Sequence, residues 1–154
     1  MTAGIQLRAV GAPQVDLLIE MYERFDPIGA ALGLPPYARE ARHRWVRNAV
    51  RQIVNVAAFS PAGEIVGHCF LAGDAPGSAE AAAFVHQEFR RQGLGTALLR
   101  SALEFGRAHE LDAAWAVTAT DNRAALRLLD RCGFRVRHSD VDIAEFDIHL
   151  SVIA

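Results

Sequence analysis

The 154-residue sequence contains no lysine, and all sixteen of its basic residues are arginine. A nucleotide-binding P-loop requires a Gly-Lys-Ser/Thr tripeptide, so this absence excludes the P-loop class of NTPases. It also excludes acylation of the protein on its own lysine side chains. With eighteen acidic residues the net charge is −2, which gives no reason to expect nucleic acid as a partner.

Cysteine is also scarce, with Cys69 and Cys132 the two in the chain. They form no CxxC pair and no metal-ligand spacing with histidine, so we expect no metal site. Two buried thiols in a reducing compartment are the expectation instead. The chain lacks an apolar run of membrane-spanning length, and its first ten residues lack a signal pattern. We therefore predict a cytoplasmic protein without a membrane partner.

Length and composition favour one domain over residues 1–154. Hydrophobic residues make up 51% of the chain and charged residues 22%, which is ordinary for a globular protein. A chain of this size buries about two-thirds of its unfolded surface, so it needs no metal or disulfide for stability. No internal repeat or low-complexity segment is present.

The stretch Glu80–Glu110 carries the strongest local pattern. A strand (Ala81–Val85) precedes a seven-residue loop, His86–Gln92, and a helix that begins at Gly93. Backbone N–H groups at a helix start lack intrahelical partners, and the helix dipole is positive there. Glycine allows close approach to the backbone, and two arginines in the loop add positive charge. The pattern predicts a site for a phosphate or pyrophosphate group.

This phosphate site does not match the dinucleotide-binding Rossmann fingerprint. That fingerprint needs a small residue at the position of Leu98, and it needs its first glycine at the end of the strand. Here the seven-residue loop separates the strand from Gly93. Both common phosphate-binding motifs are therefore excluded on local chemistry.

Two motifs together resemble one known family. The pattern Arg90-x-x-Gly93-x-Gly95 resembles the Gln/Arg-x-x-Gly-x-Gly/Ala signature of the GNAT superfamily of acetyl-CoA-dependent N-acyltransferases. Downstream, Asn122–Phe134 is similar to the family's Asn-x-x-Ala-x-x-Leu-Tyr-x-x-x-Gly-Phe helix. Each motif alone is weak, but the two occur in the family's order and spacing. The matched part covers Glu80–Phe134.

The resemblance implies an α/β (α+β) fold with a mixed, splayed β-sheet flanked by helices, in the order βααβββαβαββ. Hydrophobic periodicity predicts the same order from the residues. The expected strands and helices are Ile5–Ala9 (strand), Pro13–Arg24 and Ala38–Gln52 (helices), Val54–Ser60, Glu64–Leu71 and Ala81–Val85 (strands), Gly93–Glu110 (helix), Ala113–Thr118 (strand), a helix capped by Thr120-Asp121 and ended by Gly133, and Phe134–Arg137 and Ile143–Val152 (strands).

Helical spacing also predicts which side chains face inward. In the second helix these include Val46 and Ile53, and in the third they include Leu98 and Phe105. The second helix carries an adjacent basic stripe, which is either a solvated face or a contact for an acidic partner or a CoA phosphate: Arg44, Arg47 and Arg51.

For this family, the resemblance implies transfer of an acetyl group from acetyl-CoA to a primary amine, on a small molecule or a protein lysine, by direct attack in a ternary complex. A backbone N–H near Val85, where the strand bulges in the family, would polarise the thioester carbonyl. The acetyl-CoA contacts that the resemblance implies are Phe84, Val85, Arg90, Arg91, Gln92, Gly93, Leu94, Gly95, Thr96 and Asn122.

The expected general base is Glu80, at the start of the central strand and thirteen residues before Gly93. Many family members carry a glutamate at the corresponding place, which the resemblance assigns to Glu80. A carboxylate at a sheet surface beside an apolar pocket has a raised pKa and is suited to accept a proton. His68 and His86 are the reserve candidates, although a structural role fits both residue positions better.

One residue departs from the family pattern: Leu129 stands where the family has a tyrosine that reprotonates the leaving thiolate. A leucine cannot donate a proton, so a non-catalytic acyl-CoA-binding sensor stays open as the alternative function. A nucleotide-binding regulator is a third hypothesis. Two interpretations of Arg131 stay open: a contact to a CoA phosphate and a solvent-exposed position.

The acceptor is the least determined part of the site. In the family, the first interhelical loop and the last hairpin wall the acceptor channel, here Phe25–Tyr37 and His138–Glu145. An edge strand at Ile143–Val152 leaves a homodimer open. These segments hold acidic residues that either suit a cationic amine or are exposed turn acids: Asp26, Asp140, Asp142 and Glu145.

Overall fold

In a computed structural model of the chain, residues 4–150 are described. No helix in that range is long and apolar enough to cross a membrane. The predicted order βααβββαβαββ is confirmed. The elements are β1 (Gln6–Ala9), α1 (Val15–Glu23), α2 (Arg39–Ala49), β2 (Val54–Phe59), β3 (Ile65–Ala75), β4 (Ser78–Val85), α3 (Leu94–Ala108), β5 (Ala113–Ala119), α4 (Arg123–Arg131), β6 (Arg135–Ser139) and β7 (Ile143–His149).

One seven-stranded sheet runs through the molecule in the order β1-β2-β3-β4-β5-β7-β6. β4 and β5 pair in parallel, as expected for a strand–helix–strand unit, and every other neighbouring pair is antiparallel. The sheet is therefore mixed, as predicted. It divides the buried side chains into two layers.

The layer between the sheet and α3/α4 is the aliphatic core. Leu98, Leu99 and Ala102 of α3 are buried in it together with Leu71 of β3 and Leu129 of α4. The layer between the sheet and α1/α2 is the aromatic core. Rings of helices and strands meet there at close range, mostly edge to face: Tyr22, Phe25, Trp45, Phe70 and Phe84.

The predicted strands leave residues 72–80 outside the sheet, whereas the observed β3–β4 hairpin is tight. β3 extends four residues beyond the predicted end at Leu71, β4 begins at Ser78, and Pro76-Gly77 forms the turn. Gly77 has φ +75°, which suits a tight reversal, and a register shift near Gly73 absorbs the irregular residues. As a result Glu80 is the third residue of β4 and not its first.

Two predicted core residues are exposed. Ile53 is 61% exposed because α2 ends at Ala49, where the Asn55 side chain donates to the Ala49 carbonyl and fixes the turn that follows. Phe105 is 38% exposed, whereas Leu103, two residues earlier on α3, is buried. The inward face of α3 is thus rotated from the predicted one.

The cap of α4 also differs from the prediction. The side chain of Asn122, not of Thr120 or Asp121, accepts a hydrogen bond from the Ala125 amide at 3.1 Å. Thr120 instead donates from its hydroxyl to the Val141 carbonyl at 2.6 Å, which ties this turn to the β6–β7 connection.

The predicted edge strand is wrong. β7 lies between β5 and β6, so β6 and β1 are the edges of the described sheet. The prediction assumed that the last strand in sequence is the last in space, whereas β7 inserts antiparallel beside β5. Residues 151–152 of the predicted strand lie outside the described residues.

Candidate active site

β4 and β5 run side by side only at their beginnings. Their ladder ends at the pair Glu80–Trp115, although the strands continue to Val85 and Ala119. The gap beyond that pair, the interstrand cleft, encloses a cavity of about 160 Å³. It lies toward the carboxyl ends of two parallel strands, where open α/β sheets bind ligands. Small and aliphatic side chains form much of its wall: Ala81, Ala83, Leu99, Ala116, Leu128 and Leu129.

Free backbone donors of β4 face this cleft. The amide of His86 donates to the Val66 carbonyl of β3 at 2.9 Å. Donors alternate between the two sides of an antiparallel strand, so the Phe84 amide also faces β3. The amides of Ala83 and Val85 then face away from β3, toward the cleft. These two N–H groups are available to a ligand that lies between the strands.

The expected bulge near Val85 is wrong. Pairing between β3 and β4 runs in unbroken register from Gly73–Ala79 to Gly67–Val85. The one irregularity lies at the far end of the hairpin, between Gly73 and Ala75. The Val85 amide therefore reaches the cleft through the ordinary alternation of a strand.

Phe84, an expected cofactor contact, lines the interstrand cleft from the side of the aromatic core. Its ring is 5% exposed and packs edge to face against Tyr22, Phe25 and Trp45. Its amide faces β3. Phe84 therefore forms part of the cleft wall and offers the cleft no free donor.

The helix α3 begins with an exposed, glycine-led turn. Gly93 is its N-cap with φ +78°, and Arg91 has φ +63°. A Cβ built on Gly93 meets nothing within 4 Å, so the space above this backbone is open. The amides of Leu94, Gly95 and Thr96 form the first turn, where a helix leaves its N–H groups without intrahelical partners. The positive end of the helix thus faces open space beside the cleft.

Arg90 braces the loop between β4 and α3. Its Nε donates to the Val85 carbonyl at 2.9 Å, and its guanidinium lies 5.1 Å from the centre of the Phe25 ring. Gln87 of the same loop donates to the Arg24 carbonyl at the end of α1, at 2.7 Å. These contacts direct the Arg90 side chain toward α1. Arg91 and Gln92, which follow it, are exposed.

Glu80 is half-buried on β4, on the face that α1 and α2 cover, and it borders the interstrand cleft. Burial raises the pKa of its carboxyl group, and the nearby Asp74 carboxylate raises it further. Asp74 itself accepts a hydrogen bond from the Trp115 indole N–H at 2.9 Å, which holds it in place. A carboxylate with a raised pKa beside an apolar cleft is suited to accept a proton.

His68 is a structural residue, as the sequence favoured. Asn55 uses its amide N–H₂ on carbonyls of α2 and the turn after it, so its Oδ1 must accept from His68 Nε2 at 2.8 Å. His68 Nδ1 is therefore unprotonated and accepts from the Tyr22 hydroxyl at 2.7 Å. Burial lowers the pKa of His68 to about 3, so it stays neutral.

His86, the other reserve candidate, belongs to the loop. Its Nδ1 accepts from the Glu88 amide at 3.3 Å, and its ring is 3% exposed. Burial, with a contribution from Arg24, lowers the pKa of this imidazole. The ring nitrogens of His68, and Nδ1 of His86, are thus used in structural hydrogen bonds. Glu80 is then the titratable side chain that borders the cleft.

The comparisons with known proteins agree with this geometry. The sequence profile of the Acetyltransferase (GNAT) family matches residues 16–134. This chain belongs to the GNAT acetyltransferase family. Mycothiol acetyltransferase of Acidimicrobium ferrooxidans is 36% identical over 84 residues, a match that spans 51% of this chain and only 27% of that protein.

Solved acetyltransferases share the fold. The phosphinothricin acetyltransferase of Sinorhizobium meliloti, solved in complex with acetyl-CoA, matches with a TM-score of 0.77 at 17% identity over 95% of this chain and 88% of its own. The spermidine N-acetyltransferase of Vibrio cholerae, in complex with CoA and spermine, gives a TM-score of 0.73 at 16% identity and 97% coverage of both chains. At these identities the similarity shows the fold.

The GNAT chain departs from its family at Leu129, and the structure gives this residue a clear place. Leu129 is 5% exposed and lines the interstrand cleft. Asn122 lines the cleft as well, and its Oδ1 is used in capping α4, which leaves its Nδ2 as a donor. Thr118 was not singled out by the sequence. It supplies the one hydroxyl among the residues that line the cleft. In the sequence, the signal for it was a threonine on a strand face that otherwise carries alanine.

The acidic residues expected on the acceptor side do not line the cleft. Asp140 accepts from the amides of Asp142 and Ile143 in the β6–β7 turn, and these hydrogen bonds lower its pKa. Asp26 lies beside the Arg90 loop, where its amide donates to Gln87. The first interhelical loop does contribute to the cleft wall, through Ala31, Leu32 and Leu34. The basic stripe of α2 and Arg131 are exposed.

Proposed function

We propose that this GNAT chain, as a single acyltransferase domain over residues 1–154, transfers an acetyl group from acetyl-CoA to a primary amine by direct attack in a ternary complex. The observation that carries the proposal is the interstrand cleft, which the half-buried Glu80 borders and whose wall residue Leu128 lies next to Gly95 in the open first turn of α3. Family membership supports it, since relatives are named as acetyltransferases and one was solved with acetyl-CoA.

In this proposal the backbone holds the co-substrate. The amides of Leu94–Thr96 bind the pyrophosphate, and the exposed Arg91 and Gln92 approach it from the loop. The pantetheine arm lies between β4 and β5, with Asn122 Nδ2 as a donor to it. The Val85 amide donates to the thioester carbonyl and stabilises the oxyanion that forms on attack.

Glu80 supplies the proton chemistry. An amine is protonated near neutral pH, so it must lose a proton before its lone pair can attack. The Glu80 carboxylate takes that proton, and the new C–N bond forms. The C–S bond then breaks with the electron pair leaving on sulfur, and the nitrogen loses its second proton to solvent as the amide forms. The thiol of the leaving group has a pKa near that of cysteine, about 8.5, so the thiolate is a good leaving group. Solvent reprotonates it, because Leu129 cannot.

The test is release of free thiol from acetyl-CoA with a panel of amines. Glu80→Gln removes the base, and we expect kcat to fall about a hundredfold, within the range that general-base removal gives. The pH profile should change as well. The parent rate rises as pH increases through the raised pKa of Glu80. This rise, the acid limb of the pH profile, should be absent from the variant. A Glu80→Gln variant that equals the parent across pH contradicts the base assignment.

Asp74→Asn is the matched control for that experiment. The asparagine oxygen still accepts the Trp115 hydrogen bond, but the negative charge that raises the Glu80 pKa is gone. We expect the plateau rate to stay within about threefold, and the acid limb to move to lower pH. If the acid limb of the Asp74→Asn variant stays at the same pH, the group that titrates is not Glu80.

A second function, an acyl-CoA-binding sensor without turnover, is favoured by Leu129 in the cleft wall. Calorimetry separates the two functions. Binding of CoA with no thiol release on any amine, peptide or polyamine supports the sensor, whereas turnover above the rate without enzyme supports the transferase. We propose a cytoplasmic location for either function, because both cysteines are free thiols and Cys69 is buried.

A further inference from the structure

A second cavity opens beside Glu80, on the face of the sheet that α2 covers. This side cavity has a volume of about 240 Å³. It shares Leu34, Glu80 and Ala82 with the wall of the interstrand cleft. Glu80 is therefore the charged side chain at the junction of the two spaces. An acceptor in the side cavity would present its amine to Glu80 and to a thioester in the cleft.

The chemistry of the side cavity is mostly apolar. Trp45 and Phe70 meet at 5.8 Å in an edge-to-face arrangement and form an aromatic wall, and Ala72 of β3 forms the floor beside Glu80. The polar lining residues other than Glu80 are two neutral amides, Asn48 and Gln52 of α2 and its C-terminal turn. Glu80 is the single charged residue of the lining.

The wall of this cavity is held by tertiary contacts. Leu34 sits in a tight reversal in which its backbone exchanges two 3.1 Å hydrogen bonds with Ala31. The buried Arg42 of α2 donates to the carbonyls of Pro36 and Tyr37, at 3.1 and 2.9 Å, and clamps the same loop. The cavity is thus preformed, as most small-molecule sites are.

These features select among amines. One carboxylate satisfies one ammonium group, and a second ammonium inside the cavity would lose its hydration without a paired acid. Aromatic and aliphatic walls favour an apolar body. A cavity of about 240 Å³ is smaller than the roughly 300–1,000 Å³ of pockets that take drug-sized ligands. The body must therefore be compact.

Building on the proposed function, we infer that the side cavity binds the organic part of the acceptor, and that the acceptor is a compact primary monoamine with an aryl or alkyl body. Phenethylamine is the probe of this class. Its ring lies against Trp45 and Phe70, and its nitrogen lies at Glu80. Spermidine and Nα-acetyl-lysine amide represent the polycationic and protein-lysine classes.

The first test compares the three amines by thiol release from acetyl-CoA. We expect kcat/KM for phenethylamine to exceed that for each of the other two by about tenfold, in the range that an apolar pocket discriminates. Equal or higher kcat/KM for spermidine or the lysine derivative overturns the inference.

The second test fills the cavity. Ala72→Leu adds three carbons to its floor, and we expect KM for phenethylamine to rise about tenfold while KM for acetyl-CoA stays within twofold. Ala75→Leu makes the same change at the exposed end of β3 and should change neither constant. An unchanged phenethylamine KM in Ala72→Leu overturns the inference.

Gln52→Glu provides an independent variant with little risk to folding. The new carboxylate keeps the hydrogen bond that Gln52 Oε1 accepts from the Gly73 amide at 3.2 Å. It adds a second negative charge to the cavity lining. We expect the kcat/KM ratio of cadaverine to phenethylamine to rise about tenfold, because the second ammonium now has a partner. An unchanged ratio contradicts the placement of the acceptor body here.

Binding measurements separate this inference from the proposed function. Phenethylamine is titrated calorimetrically into the CoA-loaded parent and into the CoA-loaded Ala72→Leu variant. Binding by the parent that weakens about tenfold in the variant supports the side cavity even where no amine is turned over. Absence of phenethylamine binding to a parent that binds CoA overturns the inference. If the parent does not bind CoA, the proposed function is contradicted. Phenethylamine is then titrated into the parent and the variant without CoA, which tests the side cavity by itself.

Discussion

On the α3/α4 side of the sheet, the groups that face the interstrand cleft are mostly backbone amides and aliphatic side chains, with Thr118 and Asn122 as the polar side chains. On the α1/α2 side, the cavity beside Glu80 is lined by aromatic rings and neutral amides, and a buried hydrogen-bonded histidine lies further along the same layer. The first side offers most of its polar groups from the main chain. The second offers them from side chains that come from distant parts of the sequence.

This difference has consequences for what each side can specify. Main-chain donors bind the same group whatever the neighbouring side chains are, provided that the backbone can be approached closely. Side-chain pockets change their ligand with single substitutions. We therefore expect changes on the α3 side to alter CoA affinity, and changes on the α1/α2 side to alter stability and choice of amine.

The largest expected effect concerns stability on the α1/α2 side. His68 has its pKa lowered to about 3 in the folded protein, so the unfolded chain binds the proton more readily. The contribution of His68 to the free energy of unfolding is fully present above the unfolded pKa of about 6.5, and it is lost as pH decreases toward 3. Between pH 7 and pH 4 the loss from this residue is about 3 kcal/mol at ~1.4 kcal/mol per pH unit. Urea denaturation at several pH values measures it.

Two variants isolate the His68 contribution. Glutamine in His68→Gln can donate toward Asn55 but has no proton to gain, so the free energy of unfolding should depend less on pH than in the parent by about 3 kcal/mol over the same interval. His149→Gln, exposed on β7, should keep the parent's dependence. CoA affinity at pH 7 should be unchanged in both, since neither residue lines the interstrand cleft. Parallel pH curves for the parent and His68→Gln contradict this account.

The next largest effect is on the α3 side. A Cβ on Gly95 would lie 3.7 Å from Leu128 and from Val85, which is ordinary contact, so alanine fits there. Leucine extends further, into the space between the α3 turn and the cleft. We expect Gly95→Leu to weaken CoA binding about a hundredfold, or ~2.7 kcal/mol, by calorimetry. Gly95→Ala, the matched control, should stay within about threefold.

The two glycine variants must also be compared by thermal unfolding. Melting temperatures close to that of the parent would show that lost affinity reflects the site and not the fold. The amine preference of residual activity should be unchanged, since the side cavity lies on the other face of the sheet. A Gly95→Leu variant that binds CoA like the parent would remove the α3 turn from the proposed site.

The α3 side is also the part that could be predicted from sequence. Its signal is local: a strand, a loop and a glycine-led helix start lie within twenty consecutive residues, and backbone geometry follows from glycine position. The order of all eleven helices and strands was predicted for the same reason, since hydrophobic periodicity is a property of short segments. Errors at Ile53 and Phe105 arose where the helix end or its rotation is decided by tertiary contacts.

The α1/α2 side could not be predicted in this way. Leu34, Trp45, Phe70 and Glu80 border one cavity, yet they come from a loop, a helix and two strands. Nothing in the spacing of these residues indicates that they meet. A structural role for His68 was foreseen from its place in a strand, but its partner Tyr22 lies 46 residues away. Long-range pairing of this kind needs the folded chain.

A smaller effect is expected at Arg90, which links the two sides. Its side chain contacts the Val85 carbonyl and the Phe25 ring, so it braces the loop and does not extend to open space. Arg90→Gln removes one hydrogen bond and one cation–π contact. We expect KM for acetyl-CoA to rise about fivefold, or ~1 kcal/mol. Because the variant loses local packing, the ratio of its KM for acetyl-CoA to that of the parent should be nearly the same at low and high salt.

The smallest effect is expected at Arg91, and salt distinguishes it from Arg90. Arg91 is exposed, with φ +63°, beside the open first turn of α3. Its contribution to pyrophosphate binding is then a screened charge interaction of about 0.5 kcal/mol, so Arg91→Gln should raise KM for acetyl-CoA about twofold at low salt. Near 1 M salt, where the screening length is ~3 Å, the difference should vanish. Arg137→Gln on the edge strand β6 removes the same charge far from the turn and should have no effect at either salt concentration. If the Arg90 effect is the one that salt removes, the arginine that contacts the pyrophosphate is Arg90, and the brace to Phe25 gives way when the co-substrate binds.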